Sequence, residues 1–326
     1  MGKSVWSLDH ARLHKLLKDK NLVPKSSRIL IAVSGGQDSL CLARLCLDLQ
    51  SKWSWKIAIA HFDHQWECDR GLSSHIAKIC DDWGVNFYLS QAQEKIRERE
   101  GEARKYRYEA LINIATEYDF NYLLTGHTRS DRAETFIYNL MRGAGIEGLT
   151  ALNWRRKINE NLTLVRPLLD FTRQETGQFC HKWQLPVWED KYNQERKFAR
   201  NRIRLDLIPY LQTEFNPQIE KHLTQTAEIL RADLTYLKQE TTRLYEQVYN
   251  HENNSLKCEE LRKISLNFQR RIVKDFLVQN LQKMPNFEQI EAVVKLIESP
   301  NLTATSTLIK NKIAQVKNRE ILIKNN

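Results

Sequence analysis

Residues 29–40 read ILIAVSGGQDSL, and the folding of this stretch decides the first half of the chain. Five apolar residues, with β-branched Ile29, Ile31 and Val33, make a buried strand. Gly35 and Gly36 follow, and residues 37–50 keep helical spacing. A strand, a glycine turn and a helix in that order form an anion site. The glycines let the backbone approach a charge, and the helix start offers free N–H groups. Ser34 and Ser39 add hydroxyls. A loop of the Walker type would end Gly-Lys-Ser and send its lysine to the β- and γ-phosphates. Here the loop reads Ser34-Gly35-Gly36-Gln37-Asp38-Ser39, without a lysine, and Asp38 is placed to hold Mg²⁺. The plain alternative is a glycine turn with Ser39 as an ordinary helix residue.

The same rhythm repeats outward from the loop. Strand-like runs at 29–33, 56–60, 85–89 and 121–125 alternate with helical patterns at 37–50, 72–83, 101–118 and 130–142. Near-continuous apolar strands separated by helices predict an α/β fold, a parallel sheet covered on both faces. Ligands of such sheets bind at the carboxyl ends of the strands. The loop, HFDH (61–64) and TGHTRSD (125–131) all fall there. A further strand at 162–169 leads to a helix at 172–183, and a charged segment closes near Pro209 and Pro217. A long helix is expected at 218–248, then helices at 257–282 and 286–298 and strands at 303–309 and 312–323. We divide the chain into a Rossmann-like parallel-sheet domain, 1–212, and a helical linker with a small, mostly helical C-terminal domain, 213–326. The long helix steps its apolar residues by threes and fours, interrupted at Thr241. That spacing suits packing within its own chain, and a dimerising coiled coil, hence a homodimer, is the alternative.

Bulk properties narrow the partners. A net charge of +10 and a pI near 9.2 point to a polyanion. No apolar run is long enough to span a membrane. The first twenty residues lack an apolar signal core, so the cytosol is the expected compartment. Cys41, Cys46, Cys68, Cys80, Cys180 and Cys258 include no C-x-x-C pair. They read as reduced thiols, not as a disulfide framework or a metal site.

Two helical stretches carry chemistry. In EREGEARKYRYEAL (98–111), Glu100, Arg104, Arg107, Tyr108 and Leu111 share one helical face. In the second, His127 follows the fourth strand, and Asp131 and Glu134 stand three residues apart in the next helix. Carboxylates in a first turn also serve the helix dipole, so these two are open to either use. His61 and His64 as a zinc pair lack a third ligand at recognisable spacing.

SGGQDS after the first strand resembles the signature of the PP-loop ATP pyrophosphatase superfamily. The wider set of SGGQDS, HFDH, EGEARKYRY, TGHTRSDRAETFIYNLMRGAGIEGL, RPLLDFTR and FARNRIRLDLIPYL, in order over 29–211, resembles the tRNA(Ile)-lysidine synthetase family. That resemblance implies an enzyme, a ligase that spends ATP to AMP and pyrophosphate. It would adenylate the C2 oxygen of the wobble cytidine of a CAU-anticodon isoleucine tRNA, and free L-lysine would then displace AMP. Ser34 to Ser39 would hold the pyrophosphate, a leaving group, which removes the need for a Walker lysine. His61 and Asp63 would lie by the nucleotide base, and Gly126 and His127 would also face the nucleotide. Asp131 and Glu134 match the family's acidic positions for lysine, with Arg204, or another arginine of RNRIR, as the cationic partner. After HFDH the family usually continues Gly-Leu-Arg. Here QWECDRGLSS (65–74) displaces the arginine to Arg70, which leaves the role of 65–72 open.

Arg104, Arg107, Arg156, Arg200 and Arg202 are the expected tRNA contacts. WRRK (154–157) and KYNQERKFARNRIR (191–204) mix aromatic and basic residues in the manner of phosphate contact with base stacking. A solvated basic surface is the plain alternative. The competing functions are a tRNA thiolating or amidotransferase PP-loop enzyme, and an RNA-binding protein with a vestigial loop.

Overall fold

The computed structural model describes residues 6–92, 100–188, 196, 198–308 and 311–325. The chain forms two compact units, Met1–Leu230 and Arg231–Asn326.

The first unit is built on a six-stranded sheet in the order β3-β2-β1-β4-β6-β5. Its strands are β1 (Arg28–Ala32), β2 (Lys56–Asp63), β3 (Asn86–Gln91), β4 (Tyr122–Thr125), β5 (Arg155–Lys157) and β6 (Thr163–Val165). All neighbours pair in parallel except β5, which lies antiparallel to β6 at one edge. The expected parallel α/β sheet is therefore present, with one added edge strand. Within β1, Ile29 and Ile31 pack into one core with residues of the following helix, while Leu30 packs into another with Leu111 and Ala115. Both faces of the strand are covered, which is why it reads as continuously apolar.

The helices of this unit are α1 (Leu8–Asp19), α2 (Gln37–Trp53), α3 (Leu72–Trp83), α4 (Glu100–Glu117), α5 (Arg129–Met141), α6 (Ile146–Leu149), α7 (Arg173–Lys182), α8 (Ala199–Arg202) and α9 (Ile208–Glu214). A π-helical turn, Ile203–Leu207, joins the last two. Capping boxes fix the starts of α1, α5 and α7 through Ser7, Thr128 and Thr172. The strand order runs outward from β1 through β2 to β3, then returns to place β4 on β1's other side. The crevice beyond the carboxyl ends of β1 and β4 is thus the switch point of the sheet, where such folds bind ligands.

The division between the units falls inside α10 (Ile219–Val248). The second unit adds β7 (Tyr249–Asn250), β8 (Ser255–Lys257), α11 (Cys258–Arg262), α12 (Leu266–Leu281), α13 (Phe287–Val294), β9 (Lys312–Lys317) and β10 (Glu320–Asn325). It is mostly helical, with an antiparallel sheet in the order β7-β8-β10-β9. Residues 303–308 do not form the expected strand, and residue 309 lies outside the described residues; Ala304 alone bridges to Gln315. The hairpin instead turns at Asn318 and Arg319, both at positive φ, the two-residue geometry that matches strand twist. Among the described residues, no helix is long and apolar enough to cross a membrane.

Candidate active site

At the switch point lies a cleft of about 400 Å³. Its floor is the loop after β1. Gly35 sits at φ +80°, and a Cβ there would lie 2.5 Å from Leu72 Cδ1. Only glycine fits both the backbone angle and the space. Gly36 caps α2 without a side-chain bond, so the helix start keeps N–H groups for a ligand. Ser39 folds the loop on itself: its hydroxyl donates to the Gly36 carbonyl at 2.8 Å and accepts from the Ser34 N–H at 3.1 Å. Ser34 is exposed. Gln37 donates to the Arg173 carbonyl (2.6 Å) and to Thr176 (3.2 Å), tying the loop to α7.

Asp38 is held by two residues from α7. The Thr176 hydroxyl donates to Oδ1, and Arg173 Nη1 lies 3.1 Å from Oδ2. Burial nevertheless pushes its carboxyl up to about 6, with Asp131 adding to the rise and Arg173 opposing it. The end of β4 presses on this first turn. A Cβ on Gly126 would sit 2.8 Å from the Asp38 backbone and 2.9 Å from the Ser39 nitrogen, so β4 and α2 meet backbone to backbone.

The opposite wall carries the acids. Asp131 occupies the third position of the α5 capping box, where its Oδ2 accepts from the Thr128 N–H and hydroxyl, both at 2.8 Å. Its Oδ1 faces Arg204 Nη2 at 3.6 Å. Arg204 emerges from the π-helical turn and grips Glu134 with both arms of its fork, at 2.6 and 2.9 Å. Burial raises Glu134 despite that grip. Burial alone would raise Asp131 as well, but the hydrogen bonds from Thr128 and the charge of Arg204 hold it below its ordinary value. A π-turn at this point is a common device at functional sites, because the extra residue re-aims a side chain.

Between these walls stand two histidines held neutral. His61 Nδ1 lies 2.9 Å from the Val33 carbonyl, an acceptor, so that nitrogen carries the proton. Burial lowers its pKa, and drives that of His127 down to about 3 with Arg166, Arg104 and Arg107 reinforcing the fall. Arg104 and Arg107 lie against the Tyr108 ring, their guanidinium carbons 5.5 and 5.9 Å from its centre.

The cleft thus brings together Ser34, Gly36, Gln37, Asp38, Ser39, His61, Arg104, Arg107, Gly126, His127, Asp131, Arg200 and Arg204. Other expected site residues lie elsewhere. Gly35 shapes the loop from behind, and Glu134 is buried behind Arg204. Asp63 closes the turn after β2, accepting from the Gln65 N–H at 2.7 Å and the Ser73 hydroxyl at 2.9 Å. Arg156 lies exposed on β5, and Arg202 binds the Arg196 carbonyl at the surface. The Glu100 side chain and residues 191–195 and 197 fall outside the described residues. Sequence reasoning missed Arg173, Thr176 and buried Arg166. The two arginines open and close RPLLDFTR, a stretch whose order gives no hint of which side chain faces the loop. His64 and Trp66, stacked at 4.6 Å, also line the cleft, which gives part of the departing 65–72 segment a place.

The PP-loop domain family model matches residues 7–211. Two curated cyanobacterial proteins named tRNA(Ile)-lysidine synthase are similar over nearly the whole chain. The Nostoc sp. protein is 46% identical and covers 98% of each chain. The Synechocystis sp. protein is 44% identical and covers 96% of each.

The chain belongs to the tRNA(Ile)-lysidine synthase family.

It is therefore an ATP-using, tRNA-modifying ligase. The family extends to plastids: a chloroplastic relative from Pyropia yezoensis is 36% identical over 88% of each chain. A U34-tRNA thiolase from Methanococcus maripaludis shares the fold, with a TM-score of 0.57 at 16% identity over 68% of this chain and 78% of that one. In this lysidine synthase family member, the described cysteines Cys41, Cys46, Cys80, Cys180 and Cys258 are free and buried.

Proposed function

We propose that the cleft joins free L-lysine to C2 of the wobble cytidine in a CAU-anticodon isoleucine tRNA, in two steps. In the first, the C2 oxygen attacks the α-phosphorus of ATP, the bond to the bridging oxygen breaks, and pyrophosphate leaves with the electron pair. In the second, the ε-ammonium of lysine gives up a proton to solvent, the free amine adds at C2, and the C2–oxygen bond breaks as AMP departs with the electron pair. The observation that carries the reading is the meeting of the two walls: the phosphate loop with Asp38 on one side, and Asp131 and Arg204 on the other, with Glu134 buried behind Arg204. Ser34, Gly36 and the start of α2 receive the pyrophosphate. Neutral His61, with His127 and Gly126, borders the nucleotide. Lysine brings two ammonium groups and a carboxylate, for which an Asp131, Glu134 and Arg204 cluster is a complement in kind.

The residues present suit Mg²⁺. Among the described residues no group of three or more His, Cys, Asp or Glu suits a metal, but Mg²⁺ is commonly held by one or two carboxylates together with substrate phosphates. Asp38 is the carboxylate in question, and burial raises its pKa more than the charge of Arg173 lowers it. Mg²⁺ would supply charge neutralisation on the phosphates. Holding Asp38 ionised has a stability cost. With its pKa raised from 3.8 to about 6, the folded state favours the protonated form. This contribution to stability is fully present below pH 4 and is lost as pH rises through about 6. At neutral pH the cost is about 3 kcal/mol. Asp38→Asn should therefore raise the thermal midpoint at pH 7 while abolishing pyrophosphate release; a lower midpoint would contradict the assigned burial cost.

Arg104, Arg107 and Arg200 in the cleft, and Arg156 and Arg202 outside it, are the proposed tRNA contacts, together with residues 213–326. Arg156→Ala should weaken tRNA binding several-fold, lower the salt slope by about 0.7–0.9, and leave the KM for ATP unchanged. The cytosol remains the proposed compartment, and a homodimer would show in sedimentation. The deciding experiment combines protein, ATP, Mg²⁺, L-lysine and the tRNA, followed by nucleoside mass analysis. A cytidine enlarged by one condensed lysine, dependent on both ATP and lysine, supports the reading. AMP formation without that nucleoside would reassign the acceptor.

A further inference from the structure

The phosphate loop contains no lysine, yet a cation stands against it. Arg173, 135 positions beyond Asp38, is the first residue of α7 and lines the cleft. Its side chain is 33% exposed. Among the described residues Asp38 is the one acid that the guanidinium pairs, and Nε and Nη2 have no protein partner. A guanidinium used only to hold a carboxylate tends to engage it with both arms, as Arg204 does with Glu134. Arg173 uses one arm.

Its backbone is fixed at both ends of the residue. The carbonyl accepts from Gln37 Nε2 at 2.6 Å, so the loop itself grips α7. The N–H donates at 3.2 Å to Ser130 Oγ, and the Ser130 hydroxyl donates at 3.2 Å to Glu220 Oε2 near the start of α10. Ser130 is buried and immediately precedes Asp131. A chain of hydrogen bonds thus runs from α10 through α5 to α7 and ends at the loop.

We propose that Arg173 is the cation of this phosphate loop, a catalytic residue that neutralises the departing pyrophosphate, and that Gln37, Ser130 and Glu220 are its positioning residues. A Walker loop carries its lysine within the loop; here a distant helix supplies the charge. As the bond between the α-phosphorus and the bridging oxygen breaks, negative charge grows on the β-phosphate oxygens. A fixed guanidinium with two unused donors stabilises that growth more than it stabilises bound ATP. The inference rests on the cleft being an adenylating site.

The test measures pyrophosphate release from ATP and, separately, calorimetric binding of inorganic pyrophosphate with and without Mg²⁺. Arg173→Gln should slow release about 100-fold and weaken pyrophosphate binding at least 10-fold, with tRNA affinity unchanged. Arg173→Lys should restore much of both. Ser130→Ala leaves the cation in place but unmoored, and should lower kcat about 5-fold with little change in KM; Ser130→Thr, which keeps the hydroxyl, should recover it. Release and pyrophosphate binding in Arg173→Gln within two-fold of the parent would overturn the proposal. So would a loss in Arg173→Gln confined to the thermal midpoint. Failure of the parent itself to release pyrophosphate would instead overturn the adenylating reading.

Discussion

Gly126→Ala should lower pyrophosphate release about 100-fold, because a misplacement of about 1 Å in a reacting site costs that much. The added Cβ would sit 2.8 Å from the carbonyl carbon and oxygen of Asp38 and 2.9 Å from the Ser39 nitrogen. All three contacts are backbone, so no side chain can swing away. Either the end of β4 retreats, carrying His127, or the first turn of α2 does, carrying Asp38. Both movements open the cleft at the point where its two walls meet. Overpacking of this kind also costs about 1–3 kcal/mol of stability. Gly101→Ala is the control. Among the described residues a Cβ there meets nothing within 4 Å, and the residue lies in the first turn of α4. It should keep full activity and gain a few tenths to about 1 kcal/mol. Equal activity in the two variants would show that β4 and α2 do not need their close approach.

The second large effect concerns Arg204. Arg204→Leu should destabilise the protein by about 3–5 kcal/mol. It leaves Glu134, whose side chain is 1% exposed, as an uncompensated buried acid. Glu134 already sits above its ordinary pKa through burial, with Arg204 opposing the rise. Without Arg204 it must take up a proton or draw in water. The double variant Glu134→Leu/Arg204→Leu removes the stranded charge and should recover most of the stability. Lysine-dependent turnover should not recover, since both the acid and the cation of the proposed lysine pocket are gone. If the double variant were as unstable as the single one, the loss would come from the shape of the π-turn and not from the charge.

Much of the catalytic unit was legible in the chain. The strands β1 to β4 and the helices between them stand close to where periodicity puts them, because a strand covered on both faces has to be apolar throughout. Asp63 shows the limit of that reasoning. Its place at the end of β2 is as expected, yet its oxygens are taken by Gln65 and Ser73, because a chain leaving a strand needs its backbone N–H satisfied. Strand β5 was invisible for another reason. It consists of Arg155, Arg156 and Lys157, all exposed, and an edge strand with no buried face leaves no hydrophobic pattern. The second unit's strands β7 and β8 are two and three residues long, too short for any period to register.

The sequence by itself determined the switch-point sheet, the glycine loop and the acids of α5, since each rests on neighbours within a few residues. Turn geometry, helix starts and alternation are local, and local order is written in order along the chain. Only the tertiary structure decided which charges meet. It set Arg173 against Asp38 from 135 positions away, and turned Arg204 back onto Glu134 from 70 positions away. Those pairings depend on how α7 and the π-turn pack around the sheet, and the Coulomb energy between two groups depends on their separation in space and not along the chain.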